Sequence, residues 1–236
     1  MAGRAILPDG AKVPKAGTLC PESTALALSE GREFASRGGH KLKGALEDLN
    51  IDPAGWSCLD LGASTGGFTD CLLKSGARLV CAVDVGRGLL DLSLRSDSRV
   101  LVVEGRNARR LAEEFSPEDL RGPFDLAVMD LSFISLTLVI GEAAKFVRRG
   151  GRLLAMVKPQ FECGRSRLVR RGVVRDPSAV RAAVDKVAAF ARGLDPPLAA
   201  IGEAPSRLLG PKGNQEVFLY LEKPASAGDR RPVPAP

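Results

Sequence analysis

Histidine is nearly absent from this sequence: His40 is the single one among 236 residues. Because imidazole is the commonest general base and a frequent zinc ligand, any proton transfer must use lysine, aspartate, glutamate or water, and a zinc site is not expected. The five cysteines contain no CxxC pair, and those in or beside apolar runs are typical of small core residues. We therefore expect no bound metal.

Long apolar segments are also missing. No run approaches the ~20 residues that a membrane span needs, and no apolar signal segment stands near the N-terminus, so we expect a cytoplasmic protein without a membrane partner. The 34 Lys and Arg residues outnumber the 28 Asp and Glu residues, which gives a net charge of +6 and a pI of about 9.3. This balance mildly favours a polyanionic partner such as nucleic acid.

Short apolar segments and helical patterns alternate over most of the chain after Ser57. This alternation predicts an α/β fold with a doubly wound, mostly parallel seven-stranded sheet and helices on both faces. The predicted strands lie at 58–61, 79–83, 100–103, 124–129 and 152–157, from 197 onwards, and at 217–221. The main predicted helices lie at 36–49, 68–74, 136–147 and 176–192.

The two ends of the chain differ in composition from its middle. Residues 1–33 contain strand-like pieces at 4–7 and 25–28 with turn residues between them, and they are too few to bury a core of their own. Residues 224–236 are polar and rich in proline and alanine, which is typical of a disordered tail. We expect a small β-rich N-terminal extension, one main domain at 34–223 and a disordered tail.

A glycine-rich turn joins the first predicted strand of the main domain to a helix. It reads Asp60-x-Gly62-x-x-x-Gly66-Gly67, which is neither a phosphate-binding Walker loop nor a complete dinucleotide motif. Glycine allows close backbone approach to a ligand, and the helix N-terminus offers free N–H groups. Asp84 ends the next strand, about 20 residues after this turn, where a carboxylate can accept hydrogen bonds from ribose hydroxyls. This spacing favours an S-adenosylmethionine-dependent methyltransferase; the alternative is a tight turn packed against the sheet.

Polar residues close two further predicted strands. Asp130 follows the fourth and Lys158 the fifth, and neighbouring parallel strands bring such residues to one edge of the sheet. The pKa of a lysine, unlike that of an arginine, can be lowered by its neighbours until the side chain acts as a base. Lys158 and Lys41 are therefore candidates for proton transfer. The alternative for each is a solvated strand or helix position.

A basic segment follows the fifth predicted strand at 164–172. Its arginines would neutralise phosphates and give salt-sensitive binding to nucleic acid. The alternative is a solvated loop. The candidate phosphate-binding residues in it are Arg165, Arg167, Arg170 and Arg171.

Six stretches together resemble the TlyA (hemolysin A) family, whose members carry an FtsJ-type methyltransferase domain. They lie at 36–42, 59–73, 82–86, 129–135, 157–162 and 172–177. The resemblance runs from about Ser36 to Glu222. It implies a Rossmann-like class I S-adenosylmethionine methyltransferase fold and transfer of a methyl group to a ribose 2′-hydroxyl of ribosomal RNA. It also implies ribosomal subunits as partners, and we expect a monomer.

The family's catalytic Lys-Asp-Lys-Glu tetrad falls by motif on Lys41, Asp130, Lys158 and Glu216. The resemblance implies in-line attack of the 2′-oxygen on the methyl group. Lys158 would orient and deprotonate the hydroxyl or stabilise the oxyanion, while Asp130 and Glu216 would orient the two lysines.

The resemblance and the loop together also give candidate binding residues. Those expected at the cofactor are Asp60, Gly62, Ser64, Gly66, Gly67, Phe68, Asp84, Asn107 and Asp130. Those expected at RNA, besides the four arginines of the basic segment, are Arg37 and Lys43.

One departure from the family pattern concerns residues 1–33. They resemble only the second half of the alpha-L type RNA-binding domain with which members usually begin, so either the start codon is misplaced or the appendage is degraded. Two other functions stay open on sequence grounds. A haemolytic protein needs an amphipathic or apolar membrane-active segment, and none is evident; a non-catalytic RNA-binding assembly factor would fail to bind the cofactor.

Overall fold

The structure is a computed structural model that describes residues 5–6, 21, 24, 27–28, 33–163 and 172–225. Contacts divide the chain into two units, Met1–Glu33 and Phe34–Pro236. In the smaller unit, β1 (Ala5–Ile6) pairs antiparallel with β2 (Ala27–Leu28). These two strands fall inside the strand-like pieces predicted at 4–7 and 25–28.

The larger unit contains a seven-stranded sheet in the order β5-β4-β3-β6-β7-β9-β8. Strands β3 to β7 are parallel, whereas β9 runs antiparallel to both of its neighbours. The mostly parallel seven-stranded sheet predicted from the sequence is therefore confirmed. Its strands are β3 (Ser57–Leu61), β4 (Leu79–Asp84), β5 (Val100–Glu104), β6 (Phe124–Met129), β7 (Val147–Val157), β8 (Ala199–Pro205) and β9 (Val217–Glu222).

Helices cover both faces of this sheet. They are α1 (Arg37–Asp48), α2 (Gly67–Lys74), α3 (Leu92–Arg95), α4 (Leu111–Glu114), α5 (Ile140–Phe146), α6 (Pro159–Glu162) and α7 (Pro177–Arg192). Short 3₁₀ turns lie at Ala108–Arg110, Glu118–Leu120 and Leu136–Leu138. Within the described residues, no helix is long and apolar enough to cross a membrane.

The central strands are mostly apolar because both of their faces are covered. Successive residues of β6 point to opposite sides. Leu126 and Val128 pack in the core under α1 and α2, whereas Ala127 and Met129 pack in the core under α5 and α7. The two cores fix the strand register, which in turn fixes where each strand ends.

Helix α7 matches its predicted bounds closely. The Asp176 side chain accepts a hydrogen bond from the Ser178 backbone N–H at 2.9 Å, and Pro177 occupies the first turn, where no intrahelical N–H is needed.

The helix predicted at 136–147 is wrong in extent. Helical geometry breaks at Val139, whose φ is −127°, so that a 3₁₀ turn precedes α5. The buried Val147 pairs with Phe124 and begins β7 five residues before the predicted strand start at 152. Apolar periodicity does not separate a helix end from a buried strand start when both face the same core.

Candidate active site

Strand register brings two carboxylates to one edge of the sheet. Leu61 of β3 lies opposite Val83 of β4 and Met129 of β6. Asp84 comes directly after the first of these partners and Asp130 directly after the second, so they flank the turn that begins after Leu61. Asp130 also lies close to Lys158, as predicted for the ends of the two neighbouring strands β6 and β7, with the Lys158 Nζ 2.6 Å from its Oδ1.

Two glycines of the turn have backbone conformations that other residues rarely adopt. Gly62 has φ +87°, and a Cβ atom there would lie 2.9 Å from the backbone oxygen of Asp130. Gly66 has φ +95° as the N-cap of α2, and a Cβ atom there would collide with Leu94. The turn therefore needs glycine at both positions for its conformation and for its close approach to neighbouring segments.

Gly67 and Phe68, also expected at the cofactor, pack α2 against its neighbours. A Cβ atom at Gly67 would collide with the hydroxyl of Ser36, which caps α1. The ring of Phe68 is 3% exposed and stacks on Phe218 of β9, with ring centroids 6.1 Å apart. Any cofactor contact of these two residues would come from their backbone N–H groups, which lie in the first turn of α2.

The Asp84 carboxylate shapes the backbone around the end of β4. One oxygen accepts the Ser64 N–H at 2.8 Å and the other accepts the Gly86 N–H at 2.7 Å. Ser64 itself is exposed with φ +50°. Because each carboxylate oxygen has two lone-pair sites, Asp84 retains capacity for hydroxyl donors.

Asp60 is a fully buried carboxyl group. Its Oδ2 accepts the Thr69 hydroxyl at 2.7 Å, and its Oδ1 has no hydrogen-bond partner in the part of the chain that the structure describes. Burial raises the pKa of Asp60 to about 7; the Thr69 hydrogen bond opposes this, and the charges of Asp130 and Asp84 add to it.

Asn107 lies beyond the end of β5 and is exposed. Its side chain accepts the Arg109 N–H at 3.0 Å and so caps the short 3₁₀ turn that follows. The preceding residue, Arg106, donates its backbone N–H to the Asp84 backbone oxygen at 3.0 Å. Asn107 is therefore one residue away from a direct contact with the end of β4.

Lys41 of α1 and Glu216, directly before β9, form a buried ion pair. The Lys41 Nζ lies 2.5 Å from the Glu216 Oε2, and the two residues are 7% and 1% exposed. A Cβ atom at Gly210 would lie 2.6 Å from the Glu216 Oε1, so glycine there leaves room for the carboxylate.

Lys158 forms a second, similar pair at the end of β7. Its Nζ lies 2.6 Å from the Asp130 Oδ1 and donates to the Ser132 hydroxyl at 2.8 Å. Lys158 is 8% exposed, whereas a quarter of the Asp130 side chain remains accessible.

The two ion pairs are neighbours in the sheet. Val157 of β7 lies opposite Val217 of β9 in antiparallel register. Lys158 comes directly after Val157 and Glu216 directly before Val217, and in antiparallel strands these two positions lie opposite each other. The structure thus brings Lys41, Glu216, Lys158 and Asp130 together beside the glycine-rich turn, and their catalytic roles stay predictions.

Sequence reasoning gave no role to two residues of this site, Ser132 and Phe133, although both stand in a motif that carries the resemblance. Ser132 binds Lys158. Phe133 is 90% exposed with φ +66°, and its ring contacts Phe161 with centroids 5.4 Å apart. The available signal was an aromatic residue in the Asp-x-Ser-Phe pattern that follows a strand end. The left-handed backbone that exposes this ring could not be predicted, because aromatic residues rarely adopt that conformation.

The predicted RNA contacts fall into two groups. Arg37 and Lys43 are exposed on α1, the helix that carries Lys41. Arg165, Arg167, Arg170 and Arg171 lie outside the described residues. Among the residues that the structure describes, no group of three or more metal-binding side chains occurs.

Comparisons with known proteins support the assignment of a family. Residues 34–223 match the model of the FtsJ-like methyltransferase family. The 16S/23S rRNA (cytidine-2′-O)-methyltransferase TlyA of Mycobacterium tuberculosis is 46% identical over 215 residues, which cover 90% of this chain and 78% of that protein.

Solved structures agree with this match. A structure from Streptococcus thermophilus that carries the name hemolysin has a TM-score of 0.77 and 39% identity, covering 96% of this chain and 81% of that one. The N-methyltransferase NodS of Bradyrhizobium japonicum shares the fold alone, with a TM-score of 0.51 and 15% identity over 80% of this chain and 94% of its own. This chain belongs to the TlyA proteins of the FtsJ-like methyltransferase family.

Proposed function

We propose that this chain transfers a methyl group from S-adenosylmethionine to a ribose 2′-hydroxyl of ribosomal RNA. The observation that carries the proposal is the pair of adjoining buried lysine–carboxylate pairs beside the glycine-rich turn, Lys158 with Asp130 and Lys41 with Glu216. The name of the M. tuberculosis relative supports ribosomal RNA as the substrate and a 2′-oxygen as the acceptor. Residues 34–223 would form the catalytic domain, working in the cytoplasm where ribosomes are.

The residues around the turn fit S-adenosylmethionine as cofactor. Its sulfonium and ammonium groups are cationic, and the carboxylates of Asp84 and Asp130 make this edge of the sheet anionic. The unpartnered Asp60 Oδ1 matches an ammonium donor, and the spare capacity of Asp84 matches ribose hydroxyls. Further contacts would come from Gly62, Ser64, Asn107 and the first-turn N–H groups of α2 at Gly66, Gly67 and Phe68.

When bound, S-adenosylmethionine supplies a methyl group activated by the positive sulfur. Lys158 is the residue placed to act on the acceptor. An ammonium has three N–H donors; Asp130 and Ser132 take two, and the third has no partner among the described residues. Lys158 would hold the 2′-oxygen with this donor and stabilise the negative charge that develops as the hydroxyl loses its proton to solvent water.

Lys41 and Glu216 would support this step from the adjoining position. Glu216 is almost fully buried and paired with Lys41, so the position of its carboxylate is fixed. The pair therefore provides a fixed dipole next to Lys158, and a preorganised dipole needs no rearrangement during the reaction.

Exposed and basic residues outside the two ion pairs would bind the RNA. The protruding ring of Phe133 is suited to stack on an unpaired base, because base stacking on aromatic rings needs no particular sequence. Arg37 and Lys43, the arginines of the basic segment, and residues 1–33 as a partial RNA-binding domain would supply phosphate contacts.

Transfer of a labelled methyl group from S-adenosylmethionine to purified ribosomal subunits and naked ribosomal RNA tests the proposal. We expect wild-type protein to label RNA, and Lys158→Ala to lower the rate at saturating RNA about 100-fold, the cost of losing one donor to a developing oxyanion. Lys145→Ala, which removes an exposed lysine paired with Glu142, is the matched control and should keep the wild-type rate. A normal rate for Lys158→Ala would contradict the assigned role.

A further inference from the structure

Two segments of the site contact each other at three places. The first, called here the 130–136 loop, connects β6 to the 3₁₀ turn; the second, the 158–162 segment, comprises the last residue before α6 and α6 itself. Lys158 binds Asp130 and Ser132 at one end. Phe161 contacts Phe133 in the middle. The far end is held by Glu162.

Glu162 is the buried anchor of this far end. Its side chain is 1% exposed, its Oε1 accepts the Leu136 N–H at 2.7 Å, and its Oε2 accepts the Ser135 hydroxyl at 2.6 Å. Lys186 of α7 balances the charge, with its Nζ 3.0 Å from the Oε2 and 3.0 Å from the Glu162 backbone oxygen. One carboxylate thus ties the loop to α6 and α7.

This anchor bears on the conformation of Phe133. A left-handed backbone is unfavourable for an aromatic residue and persists only when its surroundings impose it. Lys158 fixes the loop before Phe133, and Glu162 fixes it after Phe133. Because the ring itself is 90% exposed, its contact with Phe161 alone buries little surface to hold it.

We propose that Glu162 is a positioning residue: it holds the 130–136 loop so that Phe133 is presented to the RNA. The inference rests on the proposed function and deepens it, since it concerns substrate binding at the same site. Loss of Glu162 should weaken RNA binding rather than cofactor binding, because its carboxylate contacts the loop and α7 and not the glycine-rich turn.

The first test compares Glu162→Ala with the conservative Glu162→Gln. Glutamine keeps an oxygen for the Leu136 N–H and loses the ion pair with the half-exposed Lys186. Its amide N–H₂ group replaces the Oε2 that accepts the Ser135 hydroxyl, and the Ser135 oxygen can accept a hydrogen bond from that group instead. We expect Glu162→Ala to raise the KM for RNA about 10-fold with kcat within about 3-fold, and Glu162→Gln to recover most of this loss. Cofactor affinity, measured by calorimetry, should change less than about 2-fold in both.

Hydrogen exchange gives a readout independent of catalysis. The Leu136 amide should exchange at least about 10-fold faster in Glu162→Ala than in wild type, because its acceptor is gone. Glu142→Ala is the matched control: Glu142 also accepts one backbone N–H, from Ala112, and one lysine, Lys145, but on α4 and α5. It should leave both the KM for RNA and the Leu136 exchange unchanged.

A double variant separates positioning from general destabilisation. If Glu162 acts through Phe133, Glu162→Ala should add less than about 2-fold to the KM of Phe133→Ala, because the effects of coupled residues are not additive. Full additivity, or an unchanged KM in Glu162→Ala, overturns the inference while the proposed function stands. Wild-type protein that methylates no RNA overturns the proposed function and the inference with it.

Discussion

The buried Lys41–Glu216 pair gives the sharpest prediction. Lys41→Met keeps the length and apolar stem of the side chain but removes the positive charge, which leaves the Glu216 carboxylate unpaired at 1% exposure. Removing one partner of a buried pair costs about 3–5 kcal/mol in the free energy of unfolding. For a chain of this length each kcal/mol lowers Tm by about 2–4 °C, so we expect a loss of roughly 6–20 °C.

The double variant Lys41→Met/Glu216→Gln removes both charges together. It should recover most of the lost Tm, because no buried charge remains without a partner. Methyl transfer should stay low in the double variant as well as in the single one, since the dipole beside Lys158 is absent in both. Thermal unfolding followed by circular dichroism, together with methyl-transfer rates on the same samples, measures both effects.

Arg207→Met is the control for this prediction. Arg207 pairs with Glu47 and Asp48 at the surface, where its side chain is 51% exposed, and solvent screens such pairs so that they contribute little to stability. Its Tm should stay within about 4 °C of wild type. An unchanged Tm for Lys41→Met would refute the buried pair, and a double variant with full activity would refute its part in the reaction.

Three further predictions concern the turn, the buried acid and the exposed ring. Gly62→Ala should lower the free energy of unfolding by about 1–3 kcal/mol and weaken cofactor binding in calorimetry, because of the left-handed φ and the clash with Asp130. Gly55→Ala is the control, since Gly55 has φ +73° but no atom within 4 Å of a Cβ built there. It should lower the free energy of unfolding by less and leave cofactor binding unchanged. Asp60 has a folded-state pKa of about 7 against an ordinary value of 3.8, so the folded state binds the proton more tightly than the unfolded state does. The stability of the wild-type protein should therefore fall as pH rises from about 4 to 7, by at most about 4 kcal/mol. Urea unfolding of Asp60→Asn should lack this decline, and an equal decline would show that another group titrates. Phe133→Ala should change the free energy of unfolding by less than about 0.5 kcal/mol but raise the KM for RNA, and unaltered RNA binding would remove the ring from the interface.

Strand ends were the most predictable part of the site. Asp84, Asp130 and Lys158 each follow an apolar run, and parallel strands necessarily bring such residues to one edge. The bounds of α7 were predictable for a local reason, because Asp176 and Pro177 suit only the first positions of a helix.

Features set by tertiary contacts were not predictable in the same way. The glycine-rich turn looked like one motif, but Gly62 and Gly66 serve the backbone conformation whereas Gly67 lets α2 approach Ser36. Phe68 looked like a ligand contact and stacks in the core on Phe218, which is 150 positions away along the chain. Such partners become visible only when the strand order is known.

The pairing of charges also depended on the fold. Sequence motifs implied that Asp130 and Glu216 orient two lysines, and the sheet supplies the partners: Asp130 holds Lys158 across β6 and β7, while Glu216 holds Lys41 of α1. Glu162 had no assigned role because its partners, Ser135 and Leu136, lie 27 and 26 positions away along the chain and meet it only in the folded protein.

Identification of the methylated nucleoside tests the central claim most directly. Ribosomal RNA labelled by wild-type protein and S-adenosylmethionine is digested to nucleosides and separated by chromatography, with Lys158→Ala and Lys145→Ala protein in parallel. The account predicts that the label is in a 2′-O-methylnucleoside, that Lys145→Ala matches wild type, and that Lys158→Ala lowers the label about 100-fold. Label in a methylated base, or undiminished label with Lys158→Ala, would contradict it.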